Sequence, residues 1–140
     1  MDRPIAALVL LLAWAGAAVA QDRTPSPPGA ELYIVSPTDG ATVTSPVTVR
    51  FGLRGMGVAP AGVETARTGH HHLLVDVEAL PPLDEPVPAD AQHIHFGGGQ
   101  TEVPIALPPG RHTLQLLLGD HNHIPHEPPV VSPRISITVE

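Results

Sequence analysis

Nine histidines dominate the chemistry available to this 140-residue chain, which has no cysteine. They fall in four places: His70-His71-His72, His93 with His95, His112, and His121, His123 with His126. On a β-strand, residues i and i+2 share a face. His70 and His72 therefore form one H-x-H pair and His93 and His95 another, each a bidentate start for a metal ion. Imidazole donors suit Cu(II), Zn(II) or Ni(II). With no Cys and Met56 the one methionine besides Met1, a soft Cu(I) site is disfavoured. Met56 remains a lone weak donor, and Asp120, Glu127 and Glu102 are the candidate oxygen ligands. The expected metal set is His70, His72, His93, His95, His121, His123 and His126, with Cu(II) or Zn(II) as the ion. His71 shares parity with Leu73 and reads as a hydrogen-bonded core residue. His112, at the start of a strand, reads as structural. Asp76 and Glu78 read as solvent-facing.

The elements that must carry these residues read as short strands. Val47, Val49, Phe51 and Leu53 alternate with Thr48, Arg50 and Gly52, the period of a half-buried strand. Similar alternation predicts strands over 32–35, 70–77, 93–96, 101–107, 111–118 and 134–139, with Leu73, Val75 and Val77 inward. Turn chemistry separates them: SPTDG at 36–40, PPG at 108–110, and a His- and Pro-rich loop over 119–133. Residues 55–69 read as a loop and 79–91, with four prolines, as a long connection. No helical period is visible, and 18 prolines oppose helix. The fold class is all-β, an immunoglobulin-like antiparallel β-sandwich of about seven strands. In such a sandwich the connections after the second, fourth and sixth strands lie at one end. The pairs at 70/72 and 93/95 would then meet the 121–126 loop at one pole, leaving His112 at the other. Gly97-Gly98-Gly99 precedes a strand, not a helix, so it reads as a tight turn near the histidines and not as a phosphate loop.

The blocks GHHHLLVDV, HIHFGGGQTE, LPPGRHTLQLLLGD and HIPHEPPVVS, in that order, resemble a bacterial exported family known as domain of unknown function 4399. The resemblance covers roughly Val49 to Val139. It implies a small secreted or periplasmic β-domain and implies no activity.

Composition narrows the classes further. A net charge of −7 argues against nucleic acid or an anionic membrane surface as partner. The basic residues are all Arg, which removes Schiff-base chemistry and the phosphate lysine of a P-loop. No Ser lies in a G-x-S-x-G setting. Residues 1–20 have the form of a Sec-type signal peptide: an apolar run from Ile5 ending Ala18-Val19-Ala20, shorter than the about 20 residues of a membrane span. With no Cys after it, a lipoprotein is not expected, nor is a membrane span after cleavage. A retained anchor is the alternative. Residues 21–30 read as a Pro-rich, mobile tether and 31–140 as the sandwich domain.

Three functional classes fit these features. The first is a non-catalytic, periplasmic or secreted His-rich protein that carries, buffers or delivers Cu(II) or Zn(II). The second is a cell-envelope module that contacts a protein or glycan partner through loops with structural histidines. The third is a small metalloenzyme, for which Glu102, Asp120 and Glu127 are the candidate acids or bases. Closely packed imidazoles would also repel one another when protonated, so the pole is expected to loosen, and any metal to leave, in acid.

Overall fold

A computed structural model describes residues 22–140. The expected signal segment lies outside the described residues. Among the described residues nine strands form: β1 (Glu31–Ser36), β2 (Thr42–Val43), β3 (Val47–Arg54), β4 (Gly57–Val58), β5 (Thr68–Val75), β6 (His93–His95), β7 (Glu102–Ile105), β8 (Gly110–Gly119) and β9 (Ile135–Val139). The described residues contain no helix. One sheet has the order β1-β3-β7 and the other β2-β9-β8-β5-β4, with β6 also paired to β5. The long pairings are antiparallel, and the result is a β-sandwich.

Period-two alternation builds the core. Val47, Val49 and Phe51 from one sheet pack with Leu73, Val75, Leu114, Leu116, Leu118 and Ile137 from the other, all buried. Burying a side chain of this kind contributes about 1.5–3 kcal/mol. The larger sheet is covered on its outer face as well. There Leu74, Leu117 and Val87 form a second small cluster, with Leu80 and Leu83 from the long connection against it. Thus β5 is buried from His70 to Val75 on both faces.

Three features depart from the sequence reading. The strand at 93–95 meets the 70/72 pair through a ladder and not through the shared pole of the connections: it lies antiparallel on β5, with His72 opposite His95 and Leu74 opposite His93. Part of the expected 55–69 loop, Gly57–Val58, runs parallel to the start of β5. Val77 is not in the main core; it packs into the outer cluster. The cause is Asp76, whose φ of 56° ends the strand and breaks its alternation.

Asp76 is exposed, but it is no idle surface carboxylate. It accepts hydrogen bonds from Thr113 N (2.9 Å) and His112 Nδ1 (2.8 Å), while His112 Nε2 donates to the Pro108 carbonyl (2.8 Å). Both ring nitrogens therefore donate, which suits imidazolium, and the Asp76 hydrogen bond raises the His112 pKa above 6.5. His112 is structural, as expected.

The sign of this latch follows. A pKa raised on folding gives stability that is fully present below the unfolded value and is lost as pH rises through the folded value. Asp76→Asn should cost about 1–2 kcal/mol at pH 6 and less at pH 9. Urea denaturation at the two pH values checks this; an equal cost at both would remove the imidazolium from the account.

Candidate metal centre

His70 and His72 leave the outer face of β5, with neither ring exposed to solvent. Antiparallel pairing with β6 sets His95 directly beside His72. Pairing with β8 sets Gly119 beside His70, so the loop after β8 starts at the same spot. That loop is wound on the buried Asp120 carboxylate. One oxygen accepts from Asn122 N (2.8 Å) and Ile124 N (3.0 Å), and the other from Thr24 Oγ1 (2.7 Å). Burial alone would raise the Asp120 pKa; these hydrogen bonds outweigh it and hold the carboxyl below its usual value. The winding places His123 at φ 67°, a left-handed conformation that costs a non-glycine residue about 1–2 kcal/mol. Its ring thereby turns onto the β5 pair.

The four imidazoles of His70, His72, His95 and His123 form one group. Their ligand atoms all lie within 4.8 Å of one another, and the group could hold a metal ion. His70 Nε2 lies 3.1 Å from His123 Nδ1. Nitrogens around a tetrahedral ion with bonds of about 2.0–2.1 Å would stand about 3.3–3.4 Å apart, so the spacing is close to that of a coordination edge. Ring centroids of His95 lie 4.9 Å from His70, 5.2 Å from His72 and 4.7 Å from His123. The buried Nδ1 of His70 and both ring nitrogens of His72 have no hydrogen-bond partner among the described residues. Leaving such a group unsatisfied costs about 1–3 kcal/mol.

Close approach requires two glycines. A Cβ on Gly119 would lie 2.6 Å from His72 Cε1 and 3.3 Å from the His123 Cα. A Cβ on Gly97 would lie 2.4 Å from His95 Cε1. The exposed His95 ring can swing away, but His72 is enclosed, so the Gly119 contact is the harder constraint. The glycine run after β6 thus makes the close approach expected of it.

The remaining expected ligands stand elsewhere. His93 donates from Nδ1 to Asp90 Oδ1 (2.8 Å). His121 accepts from Asn122 Nδ2 (3.0 Å) and lies 4.0 Å from Glu64. His126 is buried and donates from Nε2 to the Thr68 carbonyl (3.2 Å), closing the start of β5. The oxygen candidates are engaged too: Glu127 with Arg23, and Glu102 with Arg50 at 3.0 Å. Met56 packs against the core. His71 differs from its expected satisfied state. Its ring lies 5.0 Å from Phe51, and neither ring nitrogen has a partner among the described residues.

The Pro-rich segment read as a mobile tether is extended but held. Ser26 N donates to the Glu127 carbonyl (3.0 Å) and Glu127 N to the Thr24 carbonyl (2.9 Å). Arg23 also reaches the carbonyls of Pro125 and His126. The segment therefore braces the loop that carries His123.

A family model described as "Domain of unknown function (DUF4399)" matches residues 49–140. The chain belongs to this family. No curated protein and no solved structure matches it. The DUF4399 region contains all four clustered histidines and both contact glycines, while the bracing segment at 23–26 lies before it.

Burial favours the neutral imidazole at His70, His71, His72, His95 and His126. It pushes His70 and His71 down to about 4 and His72 to about 3, with the neighbouring rings adding repulsion for His70 and His72. Burial also lowers His95 and His126. The unfolded chain takes up protons near pH 6.5 while the folded chain does not, so stability falls as pH drops from about 6.5 to 4. Thermal melts of metal-free protein should show this decline. His71→Leu should raise stability by about 1–3 kcal/mol at pH 7 and by more at pH 5, since an apolar residue removes two unsatisfied nitrogens. A destabilised variant would mean that His71 has a partner. Gly119→Ala should cost more than about 2 kcal/mol and shift the histidine ring resonances of His72 and His123 in NMR spectra. A neutral effect on both readouts would contradict the close contact.

Proposed function

We propose that the protein is an exported, non-catalytic metal-binding protein. It holds one Cu(II) or Zn(II) ion on His70, His72, His95 and His123 and acts as a carrier, buffer or delivery module in the periplasm or outside the cell. The observation that carries this reading is the four-imidazole group with ligand atoms inside 4.8 Å, two of its rings buried and bearing unpartnered nitrogens. Metal coordination would satisfy nitrogens that otherwise cost folding energy. The structural His112, by contrast, has a hydrogen-bond partner on each ring nitrogen. The donor set is borderline nitrogen alone, which suits Cu(II) and Zn(II) and not Mg(II) or Ca(II). Asp120 is committed to its loop and Glu127 and Glu102 to arginines, so the reading is one of binding and not of acid–base chemistry.

The test is titration of the exported chain, carrying no affinity tag and stripped of metal, with Cu(II), Zn(II), Ni(II) and Co(II) in turn. One equivalent of Cu(II) or Zn(II) should bind tightly. His70→Ala/His72→Ala and His95→Ala/His123→Ala should each weaken binding more than about a hundredfold. His93→Ala, His112→Ala and His121→Ala should leave it within about threefold. Weak binding of all four ions would instead favour the envelope interaction module. Equal losses in the two sets of variants would place any ion somewhere else.

A further inference from the structure

The imidazole group is closed by the sheet on one side and open on the other. A pocket of about 290 Å³ adjoins it, lined by His72, Pro86, Val87, Ala89, His95 and His123. We infer that an ion held by the four histidines takes, as a fifth ligand on the side of this pocket, a small monodentate anion from solution. The inference rests on the metal-binding reading above and adds a ligand site to it.

Three observations support the site. First, three of the four imidazoles line the pocket, and His72 at its floor is fully buried with both nitrogens unpartnered. The His72 nitrogens are themselves closed to solvent, so a solute reaches the group past the exposed His95 and half-buried His123 rings. Second, the other lining residues, Pro86, Val87 and Ala89, bring no side-chain donor. Nothing in that wall can fill a further position on the ion, so the occupant must come from outside. Third, no carboxylate belongs to the group. Asp120 is near enough to act on His70, but its oxygens are spent on Thr24, Asn122 and Ile124, so no carboxylate touches the ion, and inside a partly apolar site an anion answers its charge better than water does.

Size and rigidity narrow the class. A water occupies about 30 Å³ of liquid, so the pocket accepts an anion of two to four heavy atoms with a few waters. Val87 is buried against Leu74 and Leu117, and its N–H donates to the His123 carbonyl at 2.9 Å. The wall is thus fixed to one of the ligand residues and holds its distance from the ion.

The experiment uses the intact protein loaded with Cu(II), with azide as the probe. Copper occupancy and azide-to-copper charge-transfer absorption are read in the same samples. A saturable band for one azide per copper is expected. Ala89 is exposed at the rim, so Ala89→Phe should fold and should keep the copper affinity within about twofold. It should weaken azide at least about tenfold, with Ala89→Leu between the two. Protein that binds copper tightly but gives no saturable azide band would overturn the anion site and leave the metal reading standing. Unchanged azide affinity in both Ala89 variants would also overturn it, since the anion would then lie outside the pocket. Failure to bind copper or cobalt at all would overturn both. The same titration of Co(II)-loaded protein, read by its visible absorption, covers a site that selects Zn(II).

Discussion

Because β5 is an inner strand, its alternation must satisfy two dry surfaces at once. His71, Leu73 and Val75 enter the space between the sheets, while His70, His72 and Leu74 enter the space beneath the long connection and the loop after β8. Three consecutive histidines are fully buried as a result. Imidazoles so placed must be neutral, and a neutral imidazole always presents one nitrogen with a free lone pair. On the core face that lone pair meets Phe51 and is wasted. On the outer face it meets the lone pairs of three other rings. The same burial therefore produces a costly defect on one side of the strand and a group that could hold a metal ion on the other.

The rest of the site is arranged to let the outer rings meet. Antiparallel pairing fixes His95 opposite His72 without a loop. His123 needs more support, because it comes from an irregular segment in a strained conformation. Asp120 supplies the centre of that segment, and Thr24 and Arg23 fasten it from the chain's beginning. Asp120, an oxygen candidate in the sequence, is thus the scaffold of His123. Gly119 then removes the one side chain that would separate the two parts.

Much of this was legible in the sequence, and the failures are instructive. Period-two alternation identified the principal strands and the correct parity of His70, His71 and His72. The grouping of His70, His72, His95 and His123 was within the expected set. Its reason was different, since β6 reaches β5 through a ladder and not through the pole of a constant-type sandwich. His93 shares strand parity with His95 but lies one pair further along, where Asp90 captures it; the D-x-x-H spacing at 90–93 was a signal that could have been weighed. His121, His123 and His126 lie in a loop, where no periodicity indicates direction, and the winding about Asp120 decides that His123 turns onto the β5 pair while His126 turns to the Thr68 carbonyl. The role of Asp76 was hidden because a left-handed residue after a strand cannot be read from alternation. The bracing of 23–26 was hidden because a Pro-rich segment looks the same whether free or paired to an irregular loop.

The ligand group also changes what kind of chain this is. His70 and His123 are 53 residues apart in sequence, and His95 divides the interval. An ion joining them would act as a cross-link closing two long loops in a chain with no disulfide. By the chain-entropy argument used for disulfides, closing a loop of that length is worth about 4 kcal/mol. Unlike a disulfide, such a staple is reversible without a redox partner and depends on metal supply. The resistance of the fold to unfolding and proteolysis would then report the concentration of free ion around it.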